Sequence, residues 1–219
     1  HPIRIRAVLD WLRLPADSVP AFIALYFSEV DGAGHRFGPD APETDSAIAL
    51  VDRSVGALWR GIEQLGLAGR VNLLVTADHG MVETGPDRVI LLDDHLDPGS
   101  YHVVDWSPVA MIRPAVGRNE EVYRRLSRVP HLSVYRKGEA PPRLHFNRNP
   151  RIPAIVAIAE PGWSITDRAG RFRYASTGGA HGYDNRAPEM GALFLGLGPG
   201  LAKGKVVDRV RSVDVYALM

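Results

Sequence analysis

The 219-residue sequence contains no cysteine, which excludes disulfides and any thiolate metal site. Lysine is almost as scarce, standing only at Lys137, Lys203 and Lys205, so the positive charge rests on arginine. The formal net charge is +1, which gives no reason to expect nucleic acid or an anionic membrane as the main partner. No apolar run approaches the roughly 20 residues of a membrane helix, and no charged-then-apolar leader opens the chain. Apolar residues make up 45% and charged residues 23%, a balance that suits a globular chain long enough to bury a core. With thiolates excluded, a metal here would have to rest on histidine or carboxylate.

What is present reads as alternating strands and helices. Residues 19–27, VPAFIALYF, form an apolar, aromatic-rich run that suits a buried strand. The glycines and proline of SEVDGAGHRFGPD, residues 28–40, predict a loop. Pro42 then opens a helix in which Ala47, Val51, Val55, Leu58, Ile62 and Leu65 recur at spacings of three and four before Gly66. Residues 71–76, VNLLVT, follow as a strand, completing a strand–helix–strand unit that predicts a parallel sheet.

Further along, residues 85–105 read as loop. SPVAMIRP (107–114), HLSVYRKG (131–138), RLHFN (143–147), PAIVAIAEPGW (153–163) and the buried-looking MGALFLGLGPG (190–200) read as strands. NEEVYRRLSRV (119–129) reads as a surface helix, TGGAHGYDN (177–185) as a glycine-rich loop, and SVDVYALM (212–219) as the start of a helix. No internal repeat, low-complexity tract or interdomain linker stands out.

Three short stretches carry the chemistry. EVDGAGH supplies Asp31 and His35, ADHGM supplies Asp78 and His79, and GGAHGYDN supplies His181. An apolar strand that ends in Asp-His is costly to bury unless something pairs with both groups. The candidates are a catalytic dyad, a metal, or a local hydrogen-bonded turn. Each stretch alone is as easily a turn, a helix cap or a loop hydrogen bond. Two of the three follow expected parallel strands, where ligands gather in such sheets, and together they tip the reading toward a metal. Mixed histidine and carboxylate ligation suits zinc or a similar divalent ion. His95, His102, His131 and His145 lack an equivalent glycine-framed setting, and Asp184 and Asn185 read as loop-stabilising residues. Tyr26 reads as core or half-buried packing, five residues before Asp31 and close enough to border a site.

Taken in order, YFSEVDGAGHRFGP, VTADHGM and GGAHGYDNRAPEMGALFLGLGPG resemble the nucleotide pyrophosphatase/phosphodiesterases of the alkaline phosphatase superfamily. The resemblance runs along nearly the whole chain. It implies an α/β fold with a doubly wound, mainly parallel sheet, in which residues 1–219 are the carboxyl-terminal portion of a single catalytic domain, incomplete at its N-terminal side. It implies two zinc ions, one held by Asp31, His35 and His181, the other by Asp78 and His79 with an aspartate absent from this chain. It places Tyr26 against the nucleotide base.

The implied activity is hydrolysis of a nucleotide phosphodiester or pyrophosphate to a nucleoside 5′-monophosphate, through a threonine nucleophile that has no counterpart here. On this reading no catalytic nucleophile lies in the chain, which is inactive without the missing N-terminal half. The substrate is a small nucleotide or phosphodiester rather than a specific nucleic acid. The implied location is periplasmic or extracellular. Two alternatives remain at this point: a non-catalytic metal-binding fragment that needs a partner segment, and a phosphomonoesterase or mutase relative.

Overall fold

Spacing decides the longest element. The apolar stripe beginning at Ala47 winds residues Pro42–Gln64 into a helix, and every member of the stripe is buried or half-buried. The chain leaves this helix through Gly66, whose φ of +70° suits a glycine, while Leu67 N–H reaches back to Ile62 C=O. The computed structural model describes residues 1–174 and 177–219. Its helices are α1 (Pro2–Leu12), α2 (Glu29–Phe37), α3 (Pro42–Gln64) and α4 (Asn119–Leu126). The strands are β1 (Leu73–Thr76), β2 (Val82–Thr84), β3 (Val89–Leu91), β4 (Tyr101–Asp105), β5 (Val109–Pro114), β6 (Leu132–Arg136), β7 (Ile155–Ala159), β8 (Ser164–Thr166), β9 (Gly178–Ala180) and β10 (Phe194–Leu197).

By Cα proximity the chain resolves into two compact units. The first comprises His1–Gly32, Pro42–Asp78 and Ala192–Met219. Its core sets Ile5 and Val8 of α1 against Leu58 and Ile62 of α3. The helices approach closely at Gly61, where a Cβ would stand 2.5 Å from a Leu9 methyl. β1 pairs with β10 antiparallel, Leu73 opposite Leu197.

Two expectations fail in this unit. Residues 19–27 form no strand, so the expected strand–helix–strand unit does not arise. They keep strand-like alternation instead. Ile23, Leu25 and Phe27 pack on the core, while Phe22 and Tyr26 stay exposed. β10 forms where expected, but its leucines Leu195 and Leu197 are exposed rather than buried.

The second unit comprises Ala33–Ala41 and His79–Gly191. Its largest sheet has the antiparallel order β4-β5-β7-β6. β7 is buried along its whole length. Ile155, Ala157 and Ala159 face the core shared with Val122 and Leu126 of α4, and Val156 and Ile158 face a smaller cluster with Ile152. β3 runs parallel to β8, and β2 pairs antiparallel with β9.

The strands expected at 107–114, 131–138 and 153–163 are present, as is α4. Residues 85–105, expected as loop, contain β3 and β4. Residues Pro142–Leu144 and Ser212–Leu218 form 3₁₀ turns, so RLHFN is not a strand. Among the described residues no helix is long and apolar enough to cross a membrane.

Candidate metal centre

α2 replaces the expected loop at 28–40, and this changes how two candidate ligands are displayed. Glu29 and Asp31 lie in its first turn and His35 and Arg36 in its last, the charge order that a helix dipole favours. Asp31 and His35 are four residues apart and therefore share a face. Of the glycines that suggested turns, Gly34, Gly178 and Gly179 serve close packing instead. A Cβ on Gly34 would meet the Met81 side chain at 3.1 Å, and one on Gly179 would meet the Gly34 carbonyl at 2.4 Å. A Cβ on Gly178 would stand 2.6 Å from the His35 carbonyl. The absence of side chains lets the helix backbone lie directly on β9.

Strand pairing brings in the remaining histidines. Val82 of β2 lies opposite Ala180 of β9, so the residues just before Val82 run beside those just after Ala180. His79 and His181 accordingly stack, with ring centroids 3.4 Å apart and planes 11° from parallel. His35 stands tilted against His181 at 4.9 Å. Gly80 is held by the 188–191 turn, since its N–H donates to Met190 C=O at 3.2 Å.

The backbone also selects the tautomers. His35 Nδ1–H donates to Gly179 C=O at 2.8 Å, and His79 Nδ1–H donates to Gly80 C=O at 2.9 Å. A carbonyl only accepts, so each ring carries its proton on Nδ1 and leaves a lone pair on Nε2. This is the arrangement by which metal-binding histidines are oriented. Asp31, His35 and His181 each offer one ligand atom, and these atoms all lie within 4.8 Å of one another. Two imidazoles and one carboxylate form a donor set that suits zinc better than magnesium.

Among the described residues, Asp78 and His79 do not belong to this group of three. Asp78 is exposed two residues beyond β1, and His79 meets the group through its stack on His181. Tyr26 is 65% exposed, which overturns its reading as packing and leaves its ring available. Its carbonyl accepts a hydrogen bond from Arg4 Nη1.

One pair was not legible in the sequence. Arg143 forks onto both carboxylate oxygens of Asp184, 41 residues away, and also reaches Asn185 Oδ1 at 3.0 Å. The guanidinium holds the Asp184 carboxyl below the ordinary carboxylate range, opposed by partial burial and assisted by the Arg186 N–H. No linear spacing announces such a partnership.

Comparison with known proteins identifies the family. The sequence profile of the type I phosphodiesterase/nucleotide pyrophosphatase family matches residues 1–184. A Xenopus laevis bis(5′-adenosyl)-triphosphatase is 38% identical over 218 residues, covering 99% of this chain and 47% of the relative. Human ectonucleotide pyrophosphatase/phosphodiesterase family member 5 is 35% identical over 219 residues, covering 99% and 44%. The chain thus spans about half the length of these curated relatives.

Solved structures of the murine member 5, one of an inactive variant in complex with AMP, superpose with a TM-score of 0.89 at 38% identity. They cover 99% of this chain and 57% of theirs. At that likeness the fold is α/β and alkaline phosphatase-like. The chain belongs to the type I phosphodiesterase/nucleotide pyrophosphatase family.

Proposed function

We propose that this chain supplies the greater part of a zinc centre in an enzyme that hydrolyses nucleotide phosphodiester or pyrophosphate bonds to nucleoside 5′-monophosphates. The observation that carries this is the group of Asp31, His35 and His181, together with the Nδ1–H bond that turns the His35 lone pair outward on Nε2. Asp31, His35 and His181 would hold one zinc ion, and Asp78 and His79 would contribute to a second. Bound there, the ions supply positive charge to phosphate oxygens and lower the pKa of a coordinated hydroxyl.

The chain's own residues do the rest of the positioning. Tyr26 offers an exposed aromatic face on which a nucleobase can stack. The threonine nucleophile and the remaining aspartate ligand are assigned to the part of the relatives that this chain does not span. An exported location, periplasmic or extracellular, belongs to the same proposal.

Metal analysis and paired rate measurements on the full-length protein test this reading. The expected result is bound zinc and faster cleavage of p-nitrophenyl thymidine 5′-phosphate than of p-nitrophenyl phosphate. Magnesium without zinc would overturn the metal assignment, and a preference for the monoester would overturn the substrate class.

A further inference from the structure

His181 is the only member of the ligand group carried on a turn rather than a helix, and that turn has its own restraint. Gly182 follows with a φ of +92°, a conformation that lets the chain double back. Tyr183 is then 6% exposed in the main core of its unit, and its hydroxyl donates to Trp163 C=O at 3.0 Å. Asp184 accepts Arg143 Nη1 at 2.7 Å on one oxygen and Nη2 on the other, and the Arg186 N–H at 2.9 Å. Arg143 projects from the Pro142–Leu144 turn, where Leu144 packs on the Ile152 cluster.

We propose that Arg143 is a positioning residue for His181, acting through Asp184. The planar guanidinium meets the carboxylate at two points, which fixes direction as well as distance. His181 is thus held between the β2–β9 ladder on one side and the Arg143–Asp184 fork on the other. This inference rests on the metal reading of His181 given above. The plain alternative is an ion pair that stabilises the fold and does nothing for the ligand.

The test measures zinc affinity, steady-state kinetics and thermal stability in the full-length protein. The Arg143→Gln variant is expected to bind zinc about tenfold more weakly or worse, the usual cost of losing an outer support of a ligand. Its kcat should fall at subsaturating zinc while KM stays within about twofold, since no substrate contact is removed. Asp184→Asn should reproduce the effect, and the double variant should be no worse than either single one. Arg143→Lys, which keeps charge but not the fork, should fall between wild type and Arg143→Gln. Should Arg143→Gln fail to fold, the Lys and Asn variants decide the matter.

Arg136→Gln provides the control. It removes a surface ion pair with Glu120 in the same unit and should leave zinc affinity unchanged. Zinc affinity in the Arg143 and Asp184 variants within about twofold of wild type would overturn the positioning role alone. Wild-type protein that binds no zinc would overturn the underlying metal reading instead.

Discussion

At the scale of single residues, Asp31, His35, Asp78, His79 and His181 could be picked out of the sequence because acid and imidazole sat beside glycine in three separate stretches. What the sequence did not contain was the means of fixing them. The carbonyls that accept from His35 and His79 belong to the backbones of Gly179 and Gly80, which have no side chain to announce a role. Replacing His181 with alanine removes one of the three ligand atoms of the group. The expected outcome is loss of zinc from that site and at least a hundredfold fall in turnover, on the order of 3 kcal/mol in the barrier. Metal content and kcat/KM on the same preparation check it, and normal zinc content would remove His181 from the centre.

Asp184 gives a prediction with a definite sign. Its carboxyl is lowered chiefly by the hydrogen bond from Arg143. A carboxylate held below its unfolded value adds stability that is present above the ordinary titration near 3.8 and is lost as pH falls through the lower, folded value. Asp184→Asn should therefore be less stable than wild type at neutral pH, with the difference shrinking below about pH 4. Denaturant midpoints across pH 2–7 would show the two curves converging. The side chain is 34% exposed, so solvent screening keeps the effect modest.

At the scale of elements, the long amphipathic helix α3, the surface helix α4 and the apolar strands β5, β6 and β7 were legible because their cause is local periodicity. α2 was not. Its glycines at 32 and 34 look like breakers, and only the close approach of Met81 and β9 explains why Gly34 stands there. Residues 19–27 failed in the opposite direction. Their composition fits a strand, but a strand also needs a ladder partner, and none forms among the described residues.

The same contacts predict the effect of adding a single methyl group. A Cβ at Gly179 would stand 2.4 Å from a backbone carbonyl and 2.9 Å from Met81, so α2 or β9 must shift. Gly179→Ala should cost roughly 1–3 kcal/mol by overpacking and weaken zinc binding by disturbing the His35 bond. Gly66→Ala, at a position with open space but a φ of +70°, should be destabilising without loss of zinc. Denaturant unfolding paired with zinc titration separates the two. Equal zinc affinity in both variants would show that the α2–β9 contact does not set the ligand geometry.

At the scale of the whole chain, the family was readable from motif order, and the grouping of Asp31, His35 and His181 followed from that resemblance alone and from no local pattern. That arrangement depends on pairing β2 with β9 across about a hundred residues, and no periodicity encodes such a register. Distant segments that converge on one cation should also share their stability with it. A ligand that binds only the folded state adds RT ln(1 + [L]/Kd), or about 2.7 kcal/mol at a hundredfold excess over Kd. For a chain of this size that corresponds to a rise in Tm of roughly 5–10 °C. Stripping the protein with a chelator should lower Tm by that amount. Zinc should restore it, magnesium at the same concentration should not, and the His181→Ala protein should show little response to either. A Tm indifferent to chelator in the wild-type protein would mean that these residues converge for some purpose other than holding a metal.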